Sequence, residues 1–169
     1  MRRHMRSLVL ALPCLWAHAA QADGFAIRDL AAVADAAKAA LGQGFAARAE
    51  TRRLTLVCTG CAGAPMLDLL LGRQTDGTEE RVRSGQTSVA QLEALCQARS
   101  PDCRVSGLAV APAVGWVSSY AAGSGAGATA VILYGGDLLT IRGLAGSRES
   151  ATRHVEALVR AVAPRIVGR

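Results

Sequence analysis

The segment Thr129-Ala-Val-Ile-Leu-Tyr134, the pair Gly135-Gly136 and the segment Leu138-Leu-Thr-Ile-Arg142 together decide the fold. Two apolar runs of strand length flank a two-glycine turn, and such a turn joins antiparallel neighbours. A helix is expected next, because Ser147 can cap its first turn. Its apolar face recurs at three- and four-residue steps, and we expect the helix to end near Ala163, before Pro164. This face comprises Val155, Leu158, Val159 and Val162.

Weaker patterns precede this hairpin and helix. Apolar periodicity predicts a first helix over 27–41, and a capping box at Ser88 and Gln91 predicts a second, whose buried face would be Val89, Leu92, Leu95 and Cys96. Strands are expected over 53–58, 66–71, 104–110 and 114–120, with a charged edge strand over 79–83 after an Asp76-Gly77 turn. The glycine-rich stretch 121–128 suggests a flexible connection. The fold class is therefore α+β: one domain, a mainly antiparallel sheet built from hairpins, and three helices.

The N-terminus has the pattern of an export signal. Arg2, Arg3 and Arg6 precede an apolar run of about ten residues, and Ala20-Gln21-Ala22 offers small residues before a cut. The run is shorter than the roughly 20 residues that span a bilayer. We expect residues 1–22 to be a signal peptide and 23–169 to be a single periplasmic or secreted domain without a membrane span.

The charge of this domain argues against nucleic-acid binding. The full chain has a formal charge of +6, and removal of the three signal arginines leaves +3. The remaining basic residues are mostly scattered singly and only five aromatic residues follow residue 22, whereas single-strand binding needs a basic track with stacking partners. The expected partner is another exported protein or a small ligand.

Four cysteines follow the signal: Cys58, Cys61, Cys96 and Cys103. An even number in an exported chain favours disulfides. We favour local pairing, Cys58 with Cys61 and Cys96 with Cys103, although crossed pairing would close longer loops and constrain the unfolded chain more. A four-cysteine zinc site is disfavoured by the wide spacing of the second pair, and no cofactor is expected.

The segment Cys58-Thr-Gly-Cys61 also allows a thiol–disulfide oxidoreductase. Such enzymes acidify one thiol at a helix N-terminus or beside a cation. Here Gly63 and Pro65 follow the motif and a strand is expected next, so the helix is missing from the usual place. A structural bridge is the favoured interpretation, and the redox enzyme is the alternative.

Other catalytic equipment is sparse. His154 is the only histidine after the signal, and it is expected to be solvated on the polar face of the last helix. Solvation also explains most of the carboxylates considered as a catalytic pair: Asp68, Asp76, Glu79, Glu80 and Asp137. The glycines at 123–127 lead into a strand, whereas a phosphate loop leads into a helix.

These observations favour a non-enzymatic exported binding domain. Trp116 and Tyr120 alternate on one face of the strand at 114–120, beside the glycine-rich stretch. They are the candidate binding residues, and the competing interpretation is that both are ordinary core aromatics.

Overall fold

A computed structural model describes residues 24–168 of the chain, so the expected signal peptide at 1–22 lies outside the described residues. The strands are β1 (Ala46–Glu50), β2 (Arg53–Val57), β3 (Met66–Arg73), β4 (Arg104–Gly107), β5 (Val114–Ala122), β6 (Gly125–Tyr134) and β7 (Asp137–Ala145). The helices are a 3-10 turn (Leu30–Val33), α1 (Ala34–Leu41), α2 (Thr78–Arg83), α3 (Val89–Gln97) and α4 (Arg148–Val167). No helix within 24–168 is long and apolar enough to cross a membrane.

All seven strands form one antiparallel sheet in the order β1-β2-β3-β7-β6-β5-β4. The α+β prediction is confirmed. The hairpin of β6 and β7 turns at Gly135-Gly136, where both glycines have positive φ. It occupies the middle of the sheet. The side chains of β7 alternate regularly between a buried and a more exposed environment, because successive side chains point to opposite faces and the helices cover one of them, whereas β6 is buried more continuously.

The core lies between one face of the sheet and the layer formed by the 3-10 turn, α1 and α4. Val155, Leu158 and Val162 of α4 are fully buried, as predicted, and α1 packs beside α4. Gly143 of β7 gives α4 its close approach, because a Cβ there would lie 2.9 Å from Cγ2 of Val155. Ser147 caps α4 by accepting a hydrogen bond from the Ser150 amide at 3.2 Å.

Helix α4 does not end at Ala163, as predicted, but continues through Pro164 to Val167. Proline removes one helical hydrogen bond. The last turn is nevertheless retained, because Ile166 is fully buried and its carbonyl accepts the amides of Ala26 and Ile27 at 2.8 and 3.2 Å. Tertiary contacts therefore outweigh the local signal to stop.

The charged strand predicted over 79–83 is wrong, since Thr78–Arg83 is helix α2, one of four α-helices within residues 24–168. Asp76 lies two residues before the helix, and its carboxylate accepts the Thr78 amide at 3.0 Å. Glutamates fill the first turn and arginines the last, in the order that the helix dipole favours. Glu79 and Arg83 form an i,i+4 ion pair at 2.7 Å.

The sequence analysis also missed one strand, and one further expectation about local structure is wrong. Strand β1 was not predicted, because alanine, arginine and glutamate are weak strand formers and all five residues are exposed. Its pairing with β2 across the Thr51-Arg52 turn maintains it. The glycine-rich stretch 121–128 is not a flexible connection, because it forms the ends of β5 and β6 with a tight turn at Gly123-Ser124.

Candidate docking face of the sheet

The second face of the sheet, opposite α1 and α4, is called the open face below. Strand register places its side chains in rows that cross the sheet. The apolar row is Val57, Met66, Leu144, Gly127 and Tyr120. The polar row is Thr55, Asp68, Arg142, Thr129 and Ser118. The third row is Arg53, Leu70, Thr140, Val131 and Trp116.

Trp116 and Tyr120 lie on this face of β5, and each is half-buried. The Tyr120 ring lies over Gly127, where a Cβ would come within 2.5 Å of its Cε2 atom. Its hydroxyl is 3.1 Å from Oγ1 of Thr129. Tyr120 is therefore fixed flat against β6, next to Leu144, and neither aromatic belongs to the buried core.

Exposed apolar side chains concentrate on or beside the open face. Within residues 24–168 the large exposed hydrophobic residues are Met66 (41%), Val89 (42%), Leu95 (67%) and Leu144 (44%). Met66 and Leu144 are neighbours in the apolar row, whereas the other two lie on α3. Leu95 and Tyr120 line one surface hollow, so α3 extends the apolar row at the β5 end. Scattered single hydrophobic residues need no explanation, but a contiguous group marks an interaction site.

The prediction that α3 buries one face is wrong, since none of its residues is buried. The capping box at Ser88 and Gln91 is confirmed, with bonds of 2.8 and 3.3 Å. The helix is attached to β4 through side chains: Glu93 accepts the Val105 amide at 2.9 Å, and Gln97 donates to the Cys103 carbonyl at 3.2 Å. A disulfide joins its last turn to the residue before β4.

The cysteines are joined in the local pairing favoured from the sequence. The Cα atoms of Cys58 and Cys61 are 5.4 Å apart, and those of Cys96 and Cys103 are 5.9 Å apart. Disulfides fit an oxidising compartment. No group of three or more histidine, cysteine or acidic side chains within 24–168 is arranged to hold a metal ion.

The Cys58–Cys61 bridge lies in the loop between β2 and β3. Cys58 is 2% exposed, and a Cβ at Gly44 would lie 3.0 Å from its Sγ atom. Turns and then β3 follow Cys61, so no helix begins at this motif to acidify a thiol. The oxidoreductase alternative stays a prediction.

Charge on the open face is only partly compensated. Asp68 accepts bonds from Arg53 at 3.1 Å and from the Thr55 hydroxyl at 2.6 Å. Its cross-strand neighbour Arg142 is exposed, and its side chain forms no ion pair or hydrogen bond with any residue in 24–168. The face therefore presents a cation in the polar row, beside Leu144 of the apolar row.

Three of the other carboxylates that were considered for a catalytic pair, Asp76, Glu79 and Asp137, bond to neighbouring groups in the structure. Asp76 accepts bonds from the Thr78 side chain and amide, which lower its pKa. Partial burial raises the pKa of Glu79, but bonds from the Gly136 amide, Arg83 and the Gly135 amide lower it more. Asp137 is only 6% exposed, so the expectation that solvation accounts for these carboxylates does not hold for it.

The expectation that His154 is a solvated surface residue is wrong. Its ring meets Phe45 edge-on at 5.8 Å, and its Nδ1 atom is buried without a hydrogen-bond partner among the described residues. Burial, aided by the positive charge of Arg153, lowers the pKa of His154. The neutral imidazole thus packs between α4 and the start of β1.

Comparison with protein-family models, curated proteins and solved structures finds no match for this chain.

Proposed function

We propose that the chain is an exported, non-enzymatic binding domain that docks to another exported protein through the open face and α3. The carrying observation is that all four large exposed hydrophobic side chains among the described residues lie on this surface. The proposal includes Trp116 and Tyr120, because Tyr120 links the apolar row to Leu95.

The dimensions suit a protein partner. From β2 to β5 the open face crosses five adjacent strands, which at about 4.8 Å per strand interval is about 19 Å. An exposed α3 widens the surface beyond β5. A sheet face of this width favours a macromolecule, since small ligands bind in concave sites that bury most of their area.

The chemistry of the partner follows from the charge on the face. Arg142 lies beside Leu144 and opposite an aspartate that Arg53 and Thr55 already occupy. A carboxylate from the partner would therefore pair with Arg142, while an apolar surface covers Met66 and Leu144. An ion pair of this kind fixes the register of the two surfaces and disfavours partners that lack the carboxylate.

The attachment of α3 fits the same role. A helix with no buried residue gains nothing from the core, yet this one is fastened by a disulfide and two side-chain bonds to β4. The disulfide keeps Leu95 in place beside Tyr120 before a partner binds. Binding therefore costs less conformational entropy than it would if α3 had to become ordered at that moment. Export, which the N-terminal pattern predicts, would supply the oxidising conditions for the bridge.

A site-specific photocrosslinker tests the proposal. A benzophenone amino acid replaces Leu144 in the chain expressed in its source organism, and the matched control carries it at Arg160, an exposed position on α4. The expected result is one adduct at position 144 that maps next to an acidic residue of the partner, and none at 160. Arg142→Glu should abolish the adduct, and reversal of the partner's acidic residue should restore it.

Two outcomes would overturn the proposal. One is an adduct formed equally from positions 144 and 160, which would indicate random encounter. The other is a dimer of the chain linked to itself, which would make the open face a self-association surface.

A further inference from the structure

A hollow of about 190 Å³ lies at the end of the sheet, away from the apolar row. It forms where the β1–β2 turn meets the end of β3, the start of β7 and the segment before the 3-10 turn. Backbone bonds fix these parts, since Leu30 donates to the Thr51 carbonyl at 2.9 Å and Leu71 to the Arg52 carbonyl at 3.0 Å. The hollow is therefore built by tertiary structure.

A buried carboxylate organises one wall. The two oxygens of Asp137 accept the Phe25 amide at 2.9 Å, Arg28 at 2.9 Å and Arg73 at 3.0 Å. Gly24 permits this approach, because a Cβ there would collide with the Asp137 carboxylate. Both arginine side chains remain more than half exposed, so they are held in place without being removed from solvent.

A third arginine, Arg52, lines the hollow beside Arg28 and Arg73. Arg52 donates through Nε and Nη2 to the Leu71 carbonyl at 3.3 and 3.2 Å, which fixes its fork at the rim. Among the described residues that line the hollow, three arginines and one aspartate carry a formal charge of two positive units. Leu71 and the edge of the largely buried Phe25 supply the apolar part of the lining.

We infer that this hollow is a binding site for a small organic dianion, a phosphate monoester on a compact apolar body. Arginine forks bind phosphate oxygens with strong, directional bonds. Two negative charges match the excess of two positive charges. A cavity of about 150 Å³ holds benzene, so 190 Å³ accepts a body of that size.

The test is isothermal titration of the purified protein with phenyl phosphate, beside inorganic phosphate, benzoate and neutral benzyl alcohol. The expected order of affinity is phenyl phosphate first, at least tenfold tighter than inorganic phosphate or benzoate, with no measurable binding of benzyl alcohol. Benzoate or inorganic phosphate as tight as phenyl phosphate would overturn the assignment, and so would an absence of saturable phenyl phosphate binding up to 10 mM.

Arg52 is the residue to change, because it carries none of the contacts to Asp137. Arg52→Gln should weaken phenyl phosphate at least tenfold, and Arg52→Lys should give an intermediate loss, because it keeps the charge but not the fork. The matched control is Arg160→Gln, which removes the same charge from an exposed pair on α4. Equal weakening by Arg160→Gln would show general charge attraction and overturn the site. Thermal unfolding of each variant confirms that it is folded, and the open face is untouched in all of them.

Discussion

Asp137 is the only charged or polar residue in 24–168 that is buried, and its replacement gives the sharpest stability prediction. Asp137→Asn keeps the shape and one oxygen to accept the Phe25 amide, but it discharges the contacts to Arg28 and Arg73. A buried charge-assisted bond is worth about 1.5–3 kcal/mol. Because the two arginines are 61% and 58% exposed, solvent screening reduces each contact to roughly 0.5–1 kcal/mol. The expected total loss is about 1–2 kcal/mol.

Urea unfolding followed by circular dichroism measures this loss. At about 4 °C per kcal/mol for a domain of this size, the melting temperature should fall by roughly 4–8 °C. The control is Glu156→Gln, which discharges an exposed i,i+4 contact to Arg160 and should change stability by less than about 0.5 kcal/mol. If Asp137→Asn matches this control, Asp137 does not anchor the segment before the 3-10 turn, and the reasoning fails.

Three further predictions concern other buried or constrained groups. Burial lowers the pKa of His154, so the unfolded chain binds a proton at a higher pH than the folded protein does. The free energy of unfolding should therefore fall as the pH drops below about 6.5. In His154→Leu this part of the pH dependence of the urea midpoint should disappear. Glu79 accepts the amides of Gly135 and Gly136, and its pKa is lowered. Its contribution to the free energy of unfolding is therefore complete above about pH 4.5 and is lost as the pH falls through the pKa of the folded state. Glu79→Gln should cost about 1 kcal/mol at pH 7, and an unchanged urea midpoint would contradict this. Cys96 and Cys103 are separated by seven positions, so replacing both with serine should destabilise the protein by about 2–3 kcal/mol. The same replacement should speed amide hydrogen exchange in α3. Unchanged exchange in α3 would mean that the disulfide does not hold the helix in place.

The central hairpin and α4 were predictable because their signals are local and agree with one another. The glycine turn, the alternating apolar runs and the Ser147 cap all specify elements that the structure contains. Helix α2 also had a local signal, the glutamates of its first turn and the arginines of its last, which the strand interpretation of 79–83 overlooked. Elements of this kind need no long-range information.

The features that depend on distant residues were not predictable. Burial of the last turn of α4 depends on the segment before Leu30, and exposure of α3 depends on its position outside the core. The hollow requires Phe25 to meet Asp137, 112 positions away. A sequence pattern gives Trp116 and Tyr120 a common face, but only strand order shows that Leu144 and Met66 continue that face.

Thiol accessibility in the source organism tests most directly whether the open face is a docking surface. The variant Leu144→Cys and the control Arg160→Cys are labelled with a maleimide, both in intact cells and as purified protein. Docking predicts that the thiol at position 144 reacts at least tenfold more slowly in cells than after purification, whereas the thiol at position 160 reacts at the same rate in both. Equal rates at position 144 in the two settings would contradict the account.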